Sequence, residues 1–134
     1  MKRIATHNSF TGEKGCGLLS SLVAPFSKCQ SKTLKEQHLN GCRLFDLRVK
    51  WDKSKGKFVA AHGLWTAQKS IVKLLSELDA MAAASPIKTF YMLTYEGKCE
   101  EGSEIYKNFV KLKECLVSVH KHLECVQLSI KKPY

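Results

Sequence analysis

The chain has 134 residues, 44% of them hydrophobic and 25% charged, and carries a net charge of +10. That profile suits one ordinary folded domain and excludes disordered and collagen-like classes. No run approaches the ~18 consecutive apolar residues of a membrane-spanning helix, and "MKRIATHNSF" passes from two basic residues straight into polar ones without the apolar segment of a signal peptide. The expectation is therefore a cytoplasmic protein, peripheral to membranes. The positive charge favours acidic partners, lipid headgroups or nucleic acid, as an influence on encounter rather than on fold. The six cysteines, Cys16, Cys29, Cys42, Cys99, Cys115 and Cys125, contain no C-x-x-C pair and no zinc-finger spacing, and read as reduced thiols.

Along the chain, a short strand over residues 3–6 runs into a loop carrying Gly12, Gly15 and Gly17, then a stretch through Leu18 and Leu22 that Pro25 interrupts. A short helix follows, with Thr33 as N-cap, Glu36 as the return half of a capping box and Gly41 at its exit. "GCRLFDLRVKWD" then reads as a strand, and "DKSKGK" as a turn into "FVAAHG", a second strand paired with the first as a hairpin. "TAQKSIVKLLSELDAMAAAS" is the clearest helix, with Ile71, Leu74, Leu75, Leu78, Met81 and Ala82 on one face, stopped by Ser85 and Pro86. "KTFYMLTYEG" is another strand. A helix over residues 103–123, with Ile105, Phe109, Leu112, Leu116, Val119 and Leu123 as its stripe, precedes a last strand, "CVQLSI". The organisation is α/β, without a linker or repeat that would mark a second domain.

Alternation along "GCRLFDLRVKWD" sets Leu44, Asp46, Arg48 and Lys50 on one face and Phe45, Leu47, Val49 and Trp51 on the other. A half-exposed antiparallel strand would simply show its polar face to water. The next strands repeat the pattern, however, with His62 at the end of "FVAAHG" and Glu96 sharing a face with Phe90, Met92 and Thr94. Ionisable groups at the C-terminal ends of strands are what the mouth of a β/α barrel needs, whereas charges midway along a strand are hard to solvate. Asp46 and Arg48 are thus expected on the inward face at the mouth, partly compensating each other.

In chain order the motifs are "ATHNSF" with His7, "FDLRV", "AAHGLW" with His62, and Glu96. This set resembles the X region of the phosphatidylinositol-specific phospholipase C superfamily, through a T-H-N-S element, a G-C-R-x-x-D-x-R strand and an H-G element spread over residues 3–97. The resemblance implies a TIM-type β/α barrel. Such a barrel takes ~250 residues, so residues 1–134 are expected to form a single catalytic domain of about five strands that lacks the C-terminal half of the barrel. A homodimer completing the half barrel is one way to close it, because an open sheet leaves an unpaired edge and exposed apolar surface.

By the same resemblance, His7 is the general base that takes the proton of the inositol 2-hydroxyl, and His62 the general acid that protonates the departing diacylglycerol oxygen. Histidine titrates near enough to neutrality for either part. Arg48 would neutralise the non-bridging oxygens, Asp46 would hold Arg48 or His62 in position, and Asn8, Glu96 and Lys50 would contact the substrate. A lone histidine at a strand end is ordinarily a packing or surface residue, but two beside Asp-x-Arg outweigh that reading. His38, His120 and His122 are left structural.

The resemblance mixes two branches. Metal-independent members have arginine at the position of Arg48 but usually aspartate where Asn8 stands, while calcium-dependent members have the asparagine and a carboxylate like Glu96. A cation fixed at Arg48 would repel calcium, and Asn8, Asp46 and Glu96 fall short of the ~6 to 8 oxygen ligands it prefers. No cofactor is therefore expected; calcium held by Asn8, Asp46 and Glu96 is the alternative. The expected partners are a phosphoinositide or related inositol phospholipid and an anionic membrane surface, toward which Lys50, Lys53, Lys55 and Lys57 could each add about 1 kcal/mol. Nucleic acid is not expected, since no aromatic-interleaved basic motif or recognition helix appears. The competing reading is a catalytically idle phosphoinositide-binding module.

Overall fold

The computed structural model describes residues 4–6, 9–12, 33–62 and 65–131. Its elements in order are β1 (Ile4–Thr6), a single 3-10 turn (Ser9–Gly12), α1 (Leu34–Leu39), β2 (Cys42–Asp52), β3 (Lys57–His62), β4 (Trp65–Thr66), α2 (Ile71–Ala83), β5 (Thr89–Glu96), α3 (Glu104–Val119) and β6 (Leu123–Lys131). The strands form one mixed sheet in the order β4, β3, β2, β5, β6, with β1 also on β2.

β2 is the hub of this sheet. Along one edge it pairs in parallel with β5, from Leu44 opposite Phe90 to Val49 opposite Tyr95. The other edge is shared. β1 lies parallel to its first half, reaching Thr6 opposite Phe45, and β3 runs antiparallel to its second half, from Asp52 opposite Lys57 to Val49 opposite Ala60. β6 extends the sheet in parallel beyond β5. Among the described residues six strands are found where about five were expected, because β4 is two residues long and too short to leave a periodic signal.

Local chemistry sets the boundaries. Thr33 and Glu36 form the expected capping box at α1, and Gly41 leaves the helix at φ 99°, a conformation that glycine adopts freely. In the β2–β3 turn, Asp52 Oδ1 accepts from the backbone and hydroxyl of Ser54 and from Lys55 N. Helix α2 starts at Ile71 rather than near residue 66, because Thr66 belongs to β4 and Ser70 is the cap that accepts from Lys73 N. Helix α3 ends sooner than its apolar stripe suggests: His120 caps it and Leu123 opens β6, leaving Val119 52% exposed.

The two faces of the sheet differ. Phe45, Leu47, Val49, Tyr91 and Leu93 are fully buried in one core with Ile71, Leu74, Leu75 and Leu78 of α2 and Phe109 and Leu116 of α3. On the opposite face Leu44, Phe90 and Met92 are only half-buried, the buried positions of mid-β2 and β5 are polar (Asp46, Arg48, Thr94 and Glu96), and Val59 and Ala61 of β3 are buried beside them. No helix among the described residues is long and apolar enough to cross a membrane.

Candidate functional site

Pleating alone puts Asp46 and Arg48 on one face of β2, and the parallel register with β5 brings Glu96 to the same place. Arg48 Nη2 lies 3.3 Å from Asp46 Oδ2, and Arg48 Nη1 lies 3.4 Å from Glu96 Oε2. All three residues are nearly inaccessible, at 6%, 6% and 3% exposure. Charges so deep persist only when paired. Both contacts are longer than the ~2.7–2.9 Å of a tight charge-assisted hydrogen bond, so the guanidinium is shared between its partners rather than locked to one.

The expected position of this pair is corrected in one respect. Asp46 and Arg48 stand in mid-strand, not at the C-terminal end of β2, because β2 overshoots β5: Glu96 ends β5, whereas residues 50–52 continue as a two-stranded arm with β3. Burial is tolerated there because Arg48 meets two carboxylates. Lys50 lies farther along the same face, half-buried at the base of the arm and opposite Val59.

Two residues that sequence reasoning did not single out position this region. The Ser9 hydroxyl accepts from the Asp46 backbone N–H at 2.9 Å, and the Gln37 side chain donates to the Ser9 carbonyl at 2.8 Å. Ser9 is fully buried. The turn after β1 is thus fastened to β2 beside Asp46 and braced by α1. A polar row also crosses three strands at the level of Arg48, which is opposite Thr94, whose hydroxyl is 2.7 Å from that of Ser129 on β6.

His7 and Asn8 lie outside the described residues, between Thr6, paired with Phe45, and Ser9, bonded to Asp46. His62 is the last residue of β3 and pairs through its backbone with Trp65; its side chain is likewise outside what is described. Because β3 is antiparallel, His62 comes after Ala60, which faces Val49, so the strand is running back toward the ion cluster as it ends. Two of the remaining histidines are buried with hydrogen bonds of their own, and His122 is exposed. His38 Nε2 is 3.1 Å from Thr89 Oγ1 at the opposite end of β5, and burial, with Arg43 adding to it, holds its pKa below the usual value. His120 is buried between the Leu116 carbonyl and the Ser76 hydroxyl. Cys42, Cys99, Cys115 and Cys125 are free thiols, while Cys16 and Cys29 lie outside the described residues.

Compared with known proteins, the chain is similar to solved structures of phosphatidylinositol-specific phospholipase C from Staphylococcus aureus. A point mutant of that enzyme matches with a TM-score of 0.56 and 19% identity over 81% of this chain. The same values hold for the enzyme in a structure concerned with modulation of its membrane binding. A pentafluoro-Phe form matches with a TM-score of 0.56 and 18% identity over 86% of this chain. The chain has a phospholipase C-like fold. It spans only 36% to 39% of the length of those structures. No protein-family model matches the chain, and no curated protein does. Within the phospholipase C-like fold, the Asp46, Arg48 and Glu96 cluster is the most strongly charged buried feature of the described residues.

Proposed function

We propose that the chain is a phosphatidylinositol-cleaving phosphodiesterase of the phospholipase C type, its sheet forming part of a β/α barrel wall with the Arg48 face inward. His7 removes the proton from the inositol 2-hydroxyl, whose oxygen attacks phosphorus. The phosphorus–oxygen bond to diacylglycerol breaks, and His62 protonates the departing oxygen. A cyclic inositol phosphate and diacylglycerol result.

The observation that carries this reading is the buried guanidinium of Arg48, held between Asp46 and Glu96 on the polar face of the sheet. A buried guanidinium held in place by two carboxylates presents directed donors suited to charge that develops on a phosphoryl group. Its place in the chain supports the rest. Thr6 and Ser9, which flank His7 and Asn8, are both tied to β2 at Phe45 and Asp46, and β3 ends at His62 on its way back to the same level. The similarity to an enzyme named for phosphatidylinositol points to the same lipid class. Asn8 and Lys50 would then contact the headgroup, and the exposed Lys53, Lys55 and Lys57 of the arm would face an anionic membrane. Asp46 and Glu96 already serve Arg48, so the positive charge in the mechanism is the guanidinium and not calcium.

Phosphatidylinositol vesicles with the products followed by phosphorus NMR test this reading. A cyclic phosphate should appear, and His7→Ala and His62→Ala should each lower turnover by ~10² to 10⁴. Turnover should persist in excess EDTA. Cleavage that survives both histidine substitutions overturns the acid–base pair, and loss in EDTA with recovery on calcium overturns the metal-free mechanism.

A further inference from the structure

On the helix side of the sheet, away from Arg48, the β2–β3 arm, the start of α2 and the middle of α3 line a solvent-open cavity of 480 Å³. Trp51 belongs to the face of β2 that carries Val49, so the sheet itself separates this cavity from the ion cluster. Its walls include Trp51, Phe58, Ile71 and Leu112, and its charged members are Lys57 and Lys111. The floor is stiff. Trp51 meets Phe58 edge-on at 5.1 Å, and Phe58 in turn contacts Tyr95 at 6.2 Å and Phe109 at 6.3 Å.

The size falls within the ~300–1,000 Å³ of small-molecule sites, which are mainly apolar with a few polar groups at defined points. The charge is one-sided: two lysines line the cavity and no acidic residue does. Asp52, the nearest carboxylate in sequence, is taken up by the turn hydrogen bonds of Ser54 and Lys55. Lysines are point charges without the planar fork that arginine offers to phosphate, so the rim asks for a negative charge and not for a particular geometry. Apolar walls beneath a cationic rim are complementary to an amphiphile with a small anionic head.

We propose that this cavity binds a linear alkyl carboxylate, its head between Lys57 and Lys111 and its tail along Trp51, Phe58, Ile71 and Leu112. The site is separate from the phosphodiester site and does not depend on catalysis.

Trp51 is the reporter. In a Trp65→Phe background it is the sole tryptophan, and its emission can be titrated with octanoate, decanoate and dodecanoate below their micellar concentrations. Binding should tighten by about fourfold per added methylene, the factor equivalent to burying one such group. Decanol should bind at least tenfold more weakly than decanoate. Combining Lys57→Glu with Lys111→Glu, both exposed positions, should abolish that preference while leaving decanol unaffected, and Val72→Asp, 41% exposed, should weaken every member of the series. Affinity independent of chain length, equal affinity for decanol, or unchanged binding in the double lysine variant each overturns the proposal. Displacement of decanoate by inositol phosphate overturns the separateness of the two sites.

Discussion

Arg48 reaches from β2 across to Glu96 at the end of β5, Nη1 to Oε2 3.4 Å, and both side chains are more than nine-tenths buried. With Asp46 on the other guanidinium nitrogen, one cation stabilises two carboxylates that have little water to turn to. The consequence for stability is asymmetric. Arg48→Met should cost about 3–5 kcal/mol in urea unfolding, because it takes the paired cation from two buried acids. Arg48→Lys should recover most of that stability yet, on the proposed mechanism, leave phosphatidylinositol cleavage depressed, since an ammonium cannot reproduce the guanidinium fork. A loss below about 1 kcal/mol for Arg48→Met would mean that the carboxylates do not depend on Arg48.

Ser9 couples the first strand to this cluster. Replacing it with alanine removes the acceptor of the Asp46 N–H while Gln37 still holds the Ser9 carbonyl, so a buried donor is left unmade. The expected cost is about 1–3 kcal/mol. A structural effect alone would stop there. If the Ser9 anchor also positions His7, kcat for phosphatidylinositol should fall with KM nearly unchanged, and Ser9→Ala turnover equal to that of the parent chain would remove Ser9 from the positioning role.

What could be read from the sequence was what has a short period. The two faces of β2 followed from alternation, the α2 stripe from helical spacing and the α1 start from Thr33 and Glu36, all of which involve neighbours within a few residues. Glu96 was legible as a carboxylate at a strand end, but its pairing with Arg48 joins residues 48 apart and depends on the register of β2 with β5. The Ser9 to Asp46 bond spans 37 positions and leaves no local pattern. The overshoot of β2, which moves Asp46 and Arg48 to mid-strand, depends on where β5 stops. The same overshoot creates the arm, so the lysine-rimmed cavity was also hidden, being assembled from β2, β3, α2 and α3.

His38 gives the fold a pH dependence with a definite sign. Burial first, and Arg43 second, lower its pKa below the ordinary 6.5, so the unfolded chain binds the proton more readily than the native one. Its contribution is therefore fully present above about pH 6.5 and is lost as pH falls through the lowered native value. Urea unfolding between pH 7.5 and 5 should show stability declining, and His38→Gln should flatten the curve in that window. Identical slopes in both proteins would remove His38 as the source.

The side of the sheet away from α2 and α3, and the β6 edge beside α3, should be adhesive. Leu44, Phe90 and Met92 there are only half-buried, and along β6 and the end of α3, Val126, Ile130, Val117 and Val119 are 40% to 52% exposed. β6 pairs only with β5 among the described residues and is the last strand of the sheet order, so its outer edge offers backbone groups as well as apolar side chains. Fully burying a side chain of this size is worth ~1.5–3 kcal/mol, so several together are enough to drive association. Light scattering at micromolar concentration should report species larger than the 15.1 kDa chain, with an apolar-surface dye bound at low concentration and released as the chain associates. Val126→Lys with Ile130→Lys should weaken association without lowering the melting temperature much, because both positions are already largely exposed. A dye-silent monomer that melts cooperatively would show that the chain covers this face by itself, and would dispose of the homodimer as the means of closing the barrel.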